Sequence, residues 1–170
     1  MDINKLPKIM PEEAKKTVKK NRGIYFWINK QDNKVVYIGI ALGKEGLRRR
    51  IVSQHLNPNY LEFRSSVHSE RDAFQLSNAV EKNGKDGSTK YGIDKSSFRK
   101  ALGRMEKLKP GSDTVNFIMN NFYLKIFESD DPNYINELEK YSISKYKPIY
   151  NSAHKSKTNL TLPTRVSPYE

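Results

Sequence analysis

Two apolar runs set the frame of this chain. Residues 23–29 (GIYFWIN) and 34–41 (KVVYIGIA) are rich in β-branched and aromatic side chains and flank a polar turn centred on Asp32 and Asn33, the pattern of a β-hairpin. Residues 121–128 (NFYLKIFE) alternate into a third strand. Helical spacing appears elsewhere. Over 44–56, Leu47, Ile51 and His55 recur on one face before the stop signal Asn57-Pro58. Pro11, followed by two glutamates and then lysines, opens a short basic helix with its charges ordered as the helix dipole prefers. The serines at 96 and 97 cap a basic helix, SSFRKALGRMEKL, that ends near Pro110-Gly111, and Asp131-Pro132 opens another that runs to Lys145 ahead of Pro148. A helix over 70–81 and a loop over 83–92 complete the reading.

These elements predict an α+β fold, with a small central antiparallel sheet flanked by helices. A basic N-terminal arm occupies 1–22, the domain proper 23–152 with a helical insertion at 57–120, and a polar, extended tail 153–170. One domain is expected at 170 residues.

Charge adds a partner to this picture. The 31 basic residues outnumber the 19 acidic ones, for a net charge of +12. Residues 1–56 carry +8 of it, 57–111 carry +4, and the remainder is neutral. A cationic front half points to a polyanion, because each neutralised phosphate releases condensed counterions. No apolar stretch approaches the roughly 20 residues needed to span a bilayer, so no membrane association is expected. The start, MDINKLPKIM, lacks a signal-peptide pattern and the chain has no cysteine, which fits a reducing, cytoplasmic setting. With no cysteine and three scattered histidines, of which His68 and His154 carry no motif, a structural zinc site is excluded and any catalytic metal must be held mainly by oxygen. No phosphate-binding glycine loop for a nucleotide cofactor is present.

The helix ahead of Pro148 carries an anomaly. Ile135, Leu138, Ser142, Ile143 and Tyr146 form an apolar stripe, and Glu139 lies within it, whereas Glu137 points elsewhere. Burying an unpaired carboxylate costs several kcal/mol, so Glu139 is either paired with a buried arginine or bound to a cation.

Four short motifs then fall in order: Gly23-Ile24-Tyr25; Tyr37-Ile38-Gly39, with twelve residues from Tyr25 to Tyr37; Leu47-Arg48-Arg49-Arg50-Ile51; and Leu138-Glu139, with Glu139 twelve residues before Asn151. Either tripeptide alone is an ordinary strand fragment, but in combination the chain resembles the GIY-YIG nuclease family over residues 23–56 and 121–152. The resemblance implies a metal-dependent endonuclease that hydrolyses double-stranded DNA to 5′-phosphate and 3′-hydroxyl ends. It implies that Glu139 binds one divalent cation, Mg²⁺ or Mn²⁺, and that Arg50 offsets charge on the phosphorane-like transition state. Tyr25 and Tyr37 become the candidates for activating the attacking water and holding the phosphate, their order left open. Asn151 would hydrogen-bond backbone near the site and fix the Glu139 helix.

The chain departs from the family pattern at one place. Many members carry His or Tyr four residues after the catalytic arginine, where this sequence has Gln54, with His55 one step later. On a regular helix a residue five positions on is rotated by about 140°, so either a helical irregularity brings His55 in or Gln54 stands in its place. Around this constellation Arg48, Arg49, Arg99, Lys100 and Arg104 are the expected DNA contacts, with Tyr60, Phe63 and Arg64 as possible groove contacts or plain surface packing. A single domain with an insertion fits a restriction endonuclease, acting as a homodimer on a short, partly palindromic site. The alternatives are a structure-specific repair or mobile-element nuclease, and a catalytically inactive nucleic-acid-binding module.

Overall fold

A computed structural model describes residues 1–65, 70–151 and 162–163. The expected extended tail lies outside the described residues apart from 162 and 163, as do His68 and His154.

The hairpin forms as the apolar runs dictate. Strands β1 (Gly23–Asn29) and β2 (Val35–Ala41) pair antiparallel around a turn in which Asn33 takes a left-handed φ of 56°, a conformation asparagine tolerates better than most residues. The third strand, Phe122–Glu128, labelled β6 in chain order, pairs antiparallel with the other side of β1 to give the order β2-β1-β6. As the middle strand, β1 is buried on both faces. Tyr25 and Trp27 enter one core layer, and Ile24, Phe26 and Ile28 the other. The second layer is closed by the long helix Pro132–Tyr146, here α6, through Ile135, Leu138 and Ile143. Its start is capped by Asp131, whose carboxylate accepts from the N–H groups of Asn133 and Tyr134 at 2.9 and 3.1 Å.

The first layer is covered by α1 (Pro11–Thr17), by a helix that begins as α2 (Gly46–Arg48), and by elements of the insertion. The insertion holds more than helices. Strands β3 (Leu61–Arg64), β4 (Val80–Asn83) and β5 (Thr89–Asp94) form a second antiparallel sheet in the order β3-β5-β4, with α3 (Ala73–Ser77) and α4 (Ser97–Glu106) packed on β5, and α5 (Ser112–Asn121) packs between α4 and β6. The stretch 70–81 is thus a short 3₁₀ turn, a five-residue helix and the start of β4, and the stretch 83–92 is the β4–β5 turn and most of β5. Every residue of β4 is exposed, so no alternation of apolar and polar positions marks it as a strand. Among the described residues no helix is long and apolar enough to cross a membrane.

Candidate active site

The site is built where β1, β2, α6 and the helix after β2 meet. Tyr25 on β1 stands directly opposite Gly39 on β2. A Cβ at position 39 would come within 2.3 Å of the Tyr25 hydroxyl, so only glycine lets the phenol lie across the neighbouring strand. Tyr37 is two residues away on β2, with its ring centroid 6.3 Å from that of Tyr25.

The irregularity required to bring in His55 is present. From Arg49 to His55 the helix widens into a π-helix, and the N–H of Leu56 donates to the carbonyl of Ile51, five residues back, at 2.9 Å. The wider turn places the fifth residue where an α-helix would place the fourth. His55 Nε2 consequently lies 2.7 Å from the Tyr25 hydroxyl, and its Nδ1 lies 2.8 Å from Ser96 Oγ. Gln54 keeps a bond to Arg50, whose Nη1 donates to Oε1 at 3.2 Å.

Arg99 supplies the end of this π-helix. Its guanidinium, fully buried, donates to the carbonyl of Gln54 at 3.0 Å and to that of Asn57, while pairing with the equally buried carboxylate of Asp94. A helix end leaves carbonyls without partners; Arg99 satisfies that of Gln54 and shares that of Asn57, just beyond the helix, with the N–H of Tyr60. This corrects the expectation that Arg99 contacts DNA. Arg99 faces inward, Lys100 is paired with Glu62 at 3.2 Å, and Arg104 with Asp72 at 3.1 Å. Arg48, half-buried, is engaged with backbone carbonyls of the N-terminal arm. Its Nη1 donates to the carbonyls of Lys15 at 2.6 Å and Val18 at 3.2 Å, fastening α1 to the π-helix segment.

A cavity of about 190 Å³ gathers the rest: Tyr25, Tyr37, Arg50, Gln54, His55 and, from α6 on the other side of the sheet, Glu139. Asn151 does not line it, but braces it from behind. Its side-chain oxygen accepts from Ile38 N at 2.8 Å and its amide donates to Ile38 O at 2.7 Å, tying the chain beyond α6 to the edge of β2 between Tyr37 and Gly39. Lys95, which sequence reasoning did not place in the site, also lines it, as do Tyr60, read there as a groove contact or surface packing, and Ser96, read there only as a helix cap. They follow or precede strands of the insertion that leave no clear periodic signal. An adjoining hollow of about 540 Å³ continues past Arg50, Tyr60 and Lys95 to the exposed Arg49. A larger hollow of about 910 Å³ near the β1–β2 turn shares none of these residues, and size alone does not make it the chemical centre.

Electrostatics separate the roles. Burial, then the neighbouring Tyr37, push the Tyr25 phenol well above its ordinary range, with Arg50 opposing. Tyr37 is pushed up to about 12 by burial and next by Glu139. His55 is pushed down to about 3 by burial and by the guanidinium groups of Arg50 and Arg99. At neutral pH the cavity therefore holds two phenols that keep their protons and a neutral imidazole whose bare nitrogen can accept a hydrogen bond.

The His55 shift has a consequence for stability. An unfolded chain binds a proton at a histidine near pH 6.5, whereas the folded chain does so only near pH 3. Between those values the unfolded state holds the extra proton, so the contribution is complete above pH 6.5 and is lost as pH falls. On going from pH 7 to pH 5, the wild-type protein is expected to lose about 2 kcal/mol of unfolding free energy more than His55→Gln. Urea unfolding of both proteins at the two pH values measures the difference, and equal losses would mean that the imidazole titrates normally.

No family model, curated protein or solved structure matches this chain.

Proposed function

We propose that the chain is a divalent-metal-dependent endonuclease of the GIY-YIG type that cuts double-stranded DNA inside the cell, leaving 5′-phosphate and 3′-hydroxyl ends. Within that class the reading is a sequence-specific restriction endonuclease, working as a homodimer. The observation that carries it is the convergence of Tyr25, Tyr37, Arg50, His55 and Glu139, drawn from four separate segments, on one cavity.

The donor set fits Mg²⁺ or Mn²⁺. Glu139 is the one carboxylate lining the cavity, beside phenol oxygens, and among the described residues no three His, Cys, Asp or Glu side chains gather to hold an ion by themselves. A magnesium ion suits such a site, since it keeps several waters and takes one or two carboxylates together with substrate phosphate. Glu139 would hold the ion, which when bound would supply positive charge to polarise the scissile phosphate and stabilise the leaving 3′ oxygen.

The protein's own groups do the rest. Arg50, oriented by Gln54, faces the phosphate with a fixed fork of donors and offsets charge as the fifth oxygen joins phosphorus. Tyr25 is assigned the proton transfer because it is the phenol bonded to His55. Its oxygen takes the proton of the attacking water as its own proton passes to His55 Nε2, a transfer favoured once bound phosphate offsets the Arg50 charge that holds the imidazole down. Tyr37 remains to hydrogen-bond the phosphate. Lys95 at the cavity and Arg49 in the adjoining hollow stand beside Arg50, both exposed, and Lys16, Lys19 and Arg22 of the N-terminal arm are exposed as well. Such cations suit a phosphate backbone.

Purified protein incubated with unmethylated phage DNA and Mg²⁺ or Mn²⁺ is expected to give discrete fragments, and none in the presence of EDTA. A metal-dependent smear would favour a nonspecific or structure-directed nuclease. Intact DNA, together with intact branched DNA and RNA, would sink the enzyme reading and leave a basic binding module.

A further inference from the structure

His55 is bonded at both ring nitrogens, and the two partners come from different parts of the chain. Tyr25 belongs to the hairpin. Ser96 belongs to the insertion, at the joint between β5 and α4, where its Oγ also accepts the N–H of Arg99 at 3.4 Å as the N-cap of α4. Tyr25, His55 and Ser96 are all buried, at 2%, 3% and 5% exposure, so bulk water does not compete for these bonds.

A neutral imidazole has one N–H and one lone pair, and the partner of one nitrogen decides the state of the other. Tyr25 retains its hydroxyl proton, and Nε2 at 2.7 Å is positioned to accept it. Nδ1 then carries the hydrogen and donates to Ser96 Oγ at 2.8 Å. The serine oxygen has two lone pairs, one for the Arg99 N–H of the cap and one for His55. Its own proton is left for the cavity, which it lines.

We infer that Ser96 is a positioning residue of this site: by accepting the Nδ1–H of His55 it locks the tautomer whose Nε2 receives the Tyr25 proton. Without that oxygen the ring is free to carry its hydrogen on Nε2, where it donates to Tyr25 and cannot accept. The insertion thereby completes the proton path as well as covering the core. The catalytic consequence rests on the nuclease reading, whereas the tautomer does not.

Ser96→Gly separates the two duties of this residue, since glycine remains an acceptable N-cap while the hydroxyl is gone. Ser96→Thr restores both. Long-range ¹H–¹⁵N spectra of the DNA-free protein, with the His55 ring assigned through His55→Gln, are expected to show hydrogen on Nδ1 and a bare Nε2 in the wild type and Ser96→Thr. Ser96→Gly is expected to give the Nε2–H form or a mixture. In cleavage assays Ser96→Gly should lower kcat by about 10- to 100-fold with KM for DNA unchanged, the scale at which groups that orient a functional histidine act, and Ser96→Thr should recover it. An Nε2–H tautomer in the wild type, or an unaltered tautomer in folded Ser96→Gly, overturns the inference. The spectra need no turnover, so a wild-type protein that cuts no DNA would fail the nuclease reading and still leave the tautomer to decide this one.

Discussion

Arg99→Met is expected to lower the unfolding free energy by about 3–5 kcal/mol, the scale at which breaking one side of a buried ion pair acts. The melting temperature should fall by roughly 10 °C for a chain of this size. The cause is what the methionine leaves behind. Asp94 is fully buried, and without the guanidinium its carboxylate retains only the Gln75 side chain at 2.6 Å and the N–H of Gly111 at 3.0 Å. The carbonyl of Gln54 and the hydroxyl of Thr114 lose donors at 3.0 and 3.1 Å in the same step. Arg99→Lys should not rescue the loss, since one ammonium with three protons cannot reach partners on the π-helix end, β5 and α5 together. Arg99→Met combined with Asp94→Leu should recover part of it, because the uncompensated charge is gone. Urea and thermal unfolding measure all three variants. Unchanged stability with weakened DNA binding would instead return Arg99 to the surface role that the sequence assigned it.

That contrast locates where sequence reasoning stops. The strands β1, β2 and β6 and the helix α6 were legible because their signals are local: β-branched and aromatic runs, a polar turn at Asp32-Asn33, a cap at Asp131. Tyr25, Tyr37, Arg50 and Glu139 were legible only as motifs in a fixed order, since no periodicity reveals that four distant segments share a cavity. The π-helix was not legible. Intrinsic propensities do not distinguish it from an α-helix, and the group that donates to its freed Gln54 carbonyl, Arg99, lies 45 residues further along the chain. The one sequence trace of it is the five-residue step from Arg50 to His55. Charge counting misplaced Arg99 of α4 for a related reason. A basic helix looks the same in sequence whether its cations face solvent or carboxylates, and the partners Asp94, Glu62 and Asp72 sit on other elements. The helix α5 carries its apolar residues, Val115, Phe117, Ile118 and Met119, in one short cluster, too brief a run to show a helical period.

Glu139→Gln is expected to reduce single-turnover cleavage by about 10³-fold or more in Mg²⁺, corresponding to several kcal/mol of lost charge stabilisation in the transition state. The substitution keeps the length and shape of the side chain on α6 and removes only the charge that would hold the ion. DNA affinity measured without metal should be unchanged or slightly higher, because a negative charge has left the vicinity of the phosphate. Glu137→Gln is the control: this residue is exposed and paired with Lys140 at 2.8 Å on the same helix, and its loss should leave cleavage intact. A second readout stands apart from turnover. Tyr37 is held at about 12 by burial first and by the Glu139 charge next, and Glu139 also pushes Tyr25 up. Removing the negative charge favours the phenolate, so both phenols should titrate at lower pH in Glu139→Gln, seen as tyrosinate absorbance appearing earlier in an alkaline titration. Cleavage within tenfold of the wild type would remove Glu139 from the metal role. An unmoved tyrosine titration would go further, and remove it from the cavity.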